Sequence, residues 1–277
     1  MKTLFLTLTI VSLLILPSLT NAGKYTNDDS LVLFLPFNEG EGDTAFDGTR
    51  LGNHGKLEGG PQWVPGKHGT ALEFDGDDDV VIIETKNSKE LQLHESAGTA
   101  ECWFLMKGEG ISTAPRLIAK ESITNDSCDC DPLRGGFALK FRKHGAKLTL
   151  QLSVEKGSRK NNDPNPKATV NNDIWYHVAG TWEEGEHRVY LNGKLVFEDE
   201  GNPALPLKDV DNDLRIGGTF AGLRNFQGII DEVRVWNRVL PMDEISDNMK
   251  LGFGPLLGVS PDGMLTTTWG RIKARFQ

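Results

Sequence analysis

The sequence predicts an all-β fold in which two antiparallel sheets pack as a sandwich. Short runs of apolar or alternating residues recur along the chain, turn-forming residues separate them, and a helical period occurs in one segment only. About twelve such strands with little helix indicate two packed sheets, because each sheet must bury one apolar face. The chain has 277 residues, and β-sandwiches of roughly 250 residues are commonly one domain.

The first 22 residues are predicted to be a signal peptide, so we exclude them from the fold. Lys2 supplies a positive start, residues 4–16 form an apolar run that Pro17 ends, and small residues precede a cleavage site after Ala22. This run is too short for a permanent membrane helix, which needs about 20 residues. We therefore expect an exported protein without a transmembrane segment once the peptide is removed.

The first half of the mature chain contains strand signals around one glycine-rich loop. Residues 31–37 are continuously apolar and predict the first strand, and the loop is expected over 38–60. Five further strands are predicted at 71–74, 80–84, 100–106, 116–120 and 137–141. Leucines alternate with polar residues over 147–153, which indicates a strand with one buried face.

The second half carries the strongest local signal. Asn192-Gly193 lies between apolar runs at 187–191 and 194–197, and this pair predicts a hairpin because both turn positions need positive φ. Residues 242–249 form the one helical segment, with Pro241 before it and acidic residues in its first turn. The remaining strands are predicted at 175–182, 214–217 and 228–236.

Strict alternation in the last strand defines its two faces. It places Ile229, Asp231, Val233 and Val235 on one face, so that Asp231 interrupts an otherwise apolar row. A carboxylate in that position needs a partner.

Cysteine and tryptophan positions suggest which residues are structural. Cys102 lies in a strand-like run, where we expect a buried free thiol. Cys128 and Cys130 lie in a polar loop, where we expect a disulfide; a metal or redox role is the alternative, and it would need further ligands. Four tryptophans in strand patterns are predicted to be core: Trp103, Trp175, Trp182 and Trp236.

The net charge of −9 argues against nucleic acid as a partner, because phosphate binding depends on clustered Lys and Arg. The six histidines show no metal-ligand spacing, and neither a nucleophile elbow nor a phosphate loop is present.

Three segments of the sequence resemble one family in the correct order. LPFNEGEG at 35–42, with GNHGKL and GTALEFDG at 52–57 and 69–76, resembles the opening of the laminin-G-like, concanavalin A-like jelly-roll family. WYHVAGTW at 175–182, followed by VYLNGK, is similar to its central signature, and IIDEVRVWNRVL at 229–240 to its closing strand. The resemblance implies a jelly-roll sandwich over residues 24–250 and leaves 251–277 as a tail with unbalanced basic residues. It does not fix a function, because this scaffold supports lectins, adhesive modules, glycosidases and lyases.

The resemblance also implies a calcium site. Jelly-roll relatives with a structural Ca²⁺ suggest Asp231 as a ligand, with Glu39 and the Asp75 loop nearby because the first and last strands would be neighbours. Calcium takes six to eight oxygen ligands from carboxylates and carbonyls. The alternative is that Asp231 is a paired or exposed strand residue.

The sequence therefore favours a secreted, non-catalytic binding module that recognises glycans or extracellular proteins. The catalytic strings of related glucanases and lyases are missing, so we assign no catalytic residue. Two alternatives stay open: a polysaccharide-degrading enzyme whose carboxylates are scattered in the sequence, and an adhesive module that docks through its basic tail.

Overall fold

Strands dominate the computed structural model, which describes residues 28–86, 88–93, 97–108, 114–121, 136–144, 147–155, 168–200, 212–219 and 224–252. Within these ranges the chain forms fifteen strands and one helix. The first strands are β1 (Leu31–Leu35), β2 (Thr44–Ala45), β3 (Gly55–Glu58), β4 (Gln62–Pro65), β5 (Thr70–Asp75), β6 (Val80–Ile83), β7 (Gly98–Met106) and β8 (Arg116–Glu121). The later elements are β9 (Gly136–His144), β10 (Lys147–Glu155), β11 (Trp175–Glu183), β12 (Glu186–Leu191), β13 (Lys194–Glu200), β14 (Leu214–Ile216), β15 (Gln227–Trp236) and α1 (Met242–Lys250).

The strands form two antiparallel sheets, which confirms the predicted sandwich. The eight-stranded sheet has the order β13-β12-β11-β7-β15-β5-β4, and β1 pairs with β15 beside β5. The seven-stranded sheet has the order β10-β9-β8-β14-β6-β3-β2. The first and last strands are thus neighbours, as expected. The predicted loop at 38–60 contains two short strands, β2 and β3.

The main core lies between the sheets and is built from the alternate residues of each strand. Cys102 and Phe104 of β7 and Val178 of β11 face Leu139 and Leu152 of the opposite sheet in one apolar cluster. Cys102 is buried and not disulfide-bonded, as predicted. Trp103, Trp182 and Trp236 are buried, whereas Trp175 is only half-buried, which departs from the expected core position.

A bulge in β15 overturns the predicted alternation of that strand. Asp231 is opposite Trp103 of β7 and Arg234 is opposite Glu101, so three steps on β15 match two on β7. Glu232 is the extra residue of this bulge and has a φ of 54°. Ile230, Val233 and Val235 therefore face the core, while Asp231 and Arg234 share the outer face. The sequence pattern had placed Asp231 with Val233.

The predicted hairpin and helix are both present. Asn192 and Gly193 have φ of 50° and 73° and connect β12 to β13. Helix α1 follows Pro241 and lies on the outer face of the eight-stranded sheet, where Ile245 packs with Ala179, Tyr190 and Trp236. No helix in the described ranges is long and apolar enough to span a membrane.

Several predicted features lie outside the described residues. They are the signal peptide at 1–22, the disulfide between Cys128 and Cys130, and nearly all of the tail at 251–277. These remain predictions.

Candidate functional site

The outer face of the eight-stranded sheet carries three rows of side chains that run across neighbouring strands. Residues directly opposite each other in antiparallel strands point to the same side, so the strand register defines each row. The first row is Trp175, Leu105, Ile229 and Glu73; the second is His177, Trp103 and Asp231; the third is Ala179, Glu101, Arg234 and Phe34. Rows are two residues apart along each strand, or roughly 7 Å, except on β15, where the bulge makes the second and third rows three residues apart.

The first row reaches the surface and combines an aromatic platform with an ion pair. Trp175 and Leu105 are half-buried neighbours on β11 and β7. The Lys107 ammonium lies 2.7 Å from a Glu73 carboxylate oxygen, and because β15 lies between these strands the pair reaches across β15. An apolar surface bordered by a few fixed polar groups is typical of ligand sites.

The second row is buried and covered by the turn at 66–69. The Trp103 ring contacts the rings of His177 and His68 edge-on, with centroids 5.4 Å and 6.2 Å away. Asp231 Oδ2 accepts a hydrogen bond from the backbone N–H of His68 at 2.9 Å. A Cβ on Gly66 would lie 2.7 Å from the same oxygen, so only glycine allows this close approach. Asp231 therefore has its partner in the main chain of the turn.

Burial controls the ionisation of the second row. It raises the pKa of Asp231 to about 8, with Glu232 adding to the rise and the N–H of His68 opposing it. It lowers the pKa of His177 to about 3, with Arg234 and His68 contributing. The pKa of His68 is lowered by burial and then by the charges of Arg234 and Lys67. Groups perturbed in this way are common in functional sites, although buried structural networks perturb pKa values as well.

The third row is a buried charge network beneath helix α1. Arg234 pairs with Glu232, and its Nη1 lies 3.6 Å from Glu101 Oε1, beyond hydrogen-bond distance. Burial raises the pKa of Glu101 to about 8, against the opposing effects of Arg234 and of Asn248 on the helix. The Arg234 guanidinium thus lies near two carboxyl groups, and the Glu232 carboxyl group is the nearer.

The predicted metal ligands do not form one group. Asp75 lies with Asp78 and Asp79, and ligand atoms of these three residues lie within 4.8 Å of one another. Asp231 is outside this group, because Asp75 is opposite Gln227, four residues earlier on β15. Glu39 is also outside it, and its Oε1 accepts the backbone N–H of Phe46 at 2.7 Å. The predicted ligand set had combined Asp75 with Asp231 and Glu39, which the fold places outside this acidic group.

The Asp75 group could hold a metal ion. Its donors are all carboxylate oxygens, which suit Ca²⁺ rather than a softer metal. Burial raises the pKa of Asp79, and the charges of Asp75 and Asp78 raise it further, while the N–H of Asp75 opposes the change. A divalent cation at this group would relieve the repulsion.

Sequence reasoning did not identify the surface position of Trp175. Its strand pattern did not indicate that Trp175 would point to the outer face of the sheet, opposite a half-buried Leu105. The residues opposite it depend on strand order, which no local sequence signal encodes.

Comparison with known families gives one match over more than half of the chain. The laminin G model described as the concanavalin A-like lectin/glucanases superfamily matches residues 75–246. No protein with a curated description matches the chain.

Solved structures of similar fold come from several organisms. The sialidase of Trypanosoma rangeli in complex with sialic acid has a TM-score of 0.61 at 16% identity, covering 83% of this chain and 34% of that one. Domain 4 of AbnA, a GH43 extracellular arabinanase from Geobacillus stearothermophilus in complex with arabinotriose, has a TM-score of 0.57 at 16% identity. The match covers 79% of this chain and 98% of that domain. The binding domain of Paraclostridial Mosquitocidal Protein 1 has a TM-score of 0.55 at 16% identity, and the match covers 80% of this chain and 52% of that one. The chain spans about a third of the sialidase's length, and at these identities the likeness concerns the fold.

Proposed function

Because the chain belongs to the concanavalin A-like lectin/glucanases superfamily, we propose that it is a secreted, non-catalytic binding module whose ligand is a glycan. One observation carries the proposal: the half-buried Trp175 and Leu105 form a platform on the outer sheet face beside the Lys107–Glu73 pair. A sugar ring presents an apolar face for such a platform and hydroxyl groups for the flanking charges. The AbnA domain, which covers a similar extent of fold, is complexed with arabinotriose and supports this choice.

The position of the buried carboxyl groups supports a binding role over catalysis. Glycosidases place two carboxyl groups on opposite sides of the scissile bond, about 5 to 9.5 Å apart. Glu101 and Asp231 are the strongly perturbed acids, and both have no solvent-exposed surface. Glu101 lies against Asn248 of helix α1, and Asp231 binds the turn at 66–69. Neither is presented to a substrate on the described surface.

Trp175→Ala is expected to weaken glycan binding at least tenfold, since a buried or half-buried tryptophan is a typical energetic centre of an interface. Trp175→Phe should keep part of the affinity because an aromatic ring remains. Binding of the mature protein to a broad glycan array, followed by titration calorimetry on the best ligand, measures the change.

Phe46→Ala is the matched control, because this aromatic is 55% exposed and follows β2 of the other sheet. It should leave binding unchanged. If Phe46→Ala abolished binding while Trp175→Ala did not, the site would lie elsewhere. An array with no binding at all would contradict glycan recognition and favour the adhesive alternative. Binding of extracellular proteins would then be compared with and without residues 253–277.

We propose in addition that Asp75, Asp78 and Asp79 hold a structural Ca²⁺. Excess Ca²⁺ should raise the melting temperature relative to EDTA, since an ion at about 100 times its Kd stabilises the folded state by about 2.7 kcal/mol. Asp78→Asn should reduce this increase. Asp77→Asn is the control, because Asp77 is equally exposed in the same loop but lies outside the group. Equal melting temperatures in Ca²⁺ and EDTA would contradict the proposed calcium site.

A further inference from the structure

Lys67 is a cation on this face that has no ionic partner among the described residues. Its Nζ lies 4.5 Å from the centroid of the Trp103 ring, one row from the Trp175–Leu105 platform. The other cations of the face are engaged, Lys107 by Glu73 and Arg234 by Glu232. An exposed ammonium over a tryptophan is held by the ring quadrupole and keeps its remaining donors for a ligand.

The position of Lys67 is set by the strand beneath it. Asp231 Oδ2 accepts the N–H of His68, the next residue, and Gly66 on the other side packs against the same oxygen. A buried β15 side chain thus fixes the backbone on both sides of Lys67. The ammonium is therefore presented from an ordered turn.

Two cations act on the imidazoles beneath Lys67. Lys67 and Arg234 both lower the pKa of His68, and Arg234 also lowers that of His177, in addition to burial. Both imidazoles are consequently neutral near pH 7, so the exposed cation over the second row is Lys67. Asp231 directs a carboxylate oxygen to the main chain of the turn and is not offered to the surface.

We propose that the glycan bound on the Trp175–Leu105 platform carries an anionic group, a carboxylate or a sulfate, that contacts Lys67. The inference rests on the proposed glycan binding and specifies its ligand class. With rows roughly 7 Å apart, a ligand seated on the first row brings a substituent of the same or the next sugar to the second.

Three matched probes test the inference on the mature protein: lactose, 3′-sialyllactose and 3′-sulfolactose, backed by neutral and acidic members of a broad glycan array. Acidic members should bind at least tenfold more tightly than their neutral counterparts, because a hydrogen bond between charged groups is worth more than a neutral one. Lys67→Met should remove this preference while leaving neutral ligands bound as before. The preference should also shrink as salt is raised.

Lys56→Met is the matched control, since Lys56 is an exposed lysine on β3 of the other sheet. Its preference for acidic ligands should equal that of the wild type. Equal binding of neutral and acidic members by the wild type would overturn the inference and leave glycan recognition intact. Retention of the preference in Lys67→Met would overturn it as well. Absence of binding to every glycan would reject both this inference and the proposed function.

Discussion

Raising the pH from 6.5 to 8.5 is expected to lower the melting temperature by roughly 2 to 10 °C, and Glu101→Gln should remove about half of that change. The reason is that the folded protein holds protons on Glu101 and Asp231, whose pKa values burial raises to about 8. In the unfolded chain these groups titrate near pH 4. The double variant Glu101→Gln with Asp231→Asn should have a nearly flat profile in this range.

The sign follows from proton binding in the two states. Between pH 4 and 8 the folded state binds more protons than the unfolded state at both carboxyl groups, so their stabilising contribution is lost as the pH rises. His177 acts in the opposite direction, because its pKa of about 3 in the folded state lies below the unfolded value near 6.5. Its contribution is complete above pH 6.5 and is lost on acidification. The interval from 6.5 to 8.5 therefore covers the titration of the two acids. The Cys102 thiol, whose pKa burial raises, adds a loss of the same sign only near the upper end.

Thermal denaturation followed by circular dichroism across this interval measures the effect. Glu198→Gln is the control, since this exposed glutamate pairs with Arg188 at the sheet edge and should leave the wild-type slope unchanged. If the double variant lost stability with pH as steeply as the wild type, Glu101 and Asp231 would not be the proton-holding groups.

The elements that sequence predicted well are those with local causes. Asn192-Gly193 forms its hairpin because the two residues accept positive φ, and α1 begins after Pro241 because proline suits a helix start. The sandwich followed from the number and length of apolar runs. In contrast, Glu232 adopts a positive φ although it is neither glycine nor asparagine, so the residue types gave no signal that predicts the bulge. That single residue places Ile229 and Asp231 on the outer face, opposite to Val233, with which the alternation had grouped them.

The candidate site depends on contacts that are distant in sequence, and this is why it was only partly predictable. Asp231 was recognised as a carboxyl group in need of a partner, and its partner is the His68 amide, 163 residues away. Asp75 was linked to calcium, but its neighbours in the acidic group come from its own loop. Trp175 lies on the same strand as the buried Trp182, but seven residues separate them, so the two side chains point to opposite faces of the sheet.

Arg234→Met is expected to destabilise the protein by about 3 to 5 kcal/mol, the usual cost of removing one partner of a buried ion pair. Arg234 is fully buried and connects four elements. It pairs with Glu232 on its own strand, faces Glu101 of β7, lies 4.6 Å from the Phe34 ring of β1, and donates from Nη2 to the Leu251 carbonyl at 3.0 Å. The last bond satisfies a free carbonyl after helix α1, so the loss should also loosen the helix.

Arg188→Met separates this effect from the mere loss of a cation. Arg188 contacts three glutamates, yet its side chain is partly exposed at the sheet edge, and such pairs contribute about 1 kcal/mol or less. Arg234→Met combined with Glu232→Gln should recover much of the lost stability, because most of the cost comes from burying the Glu232 carboxylate without the Arg234 guanidinium. Urea unfolding at pH 6.5 gives all three free energies. If Arg234→Met cost no more than Arg188→Met, the network would not hold the outer face together, and helix α1 would have to be fixed by Ile245 and its apolar neighbours alone.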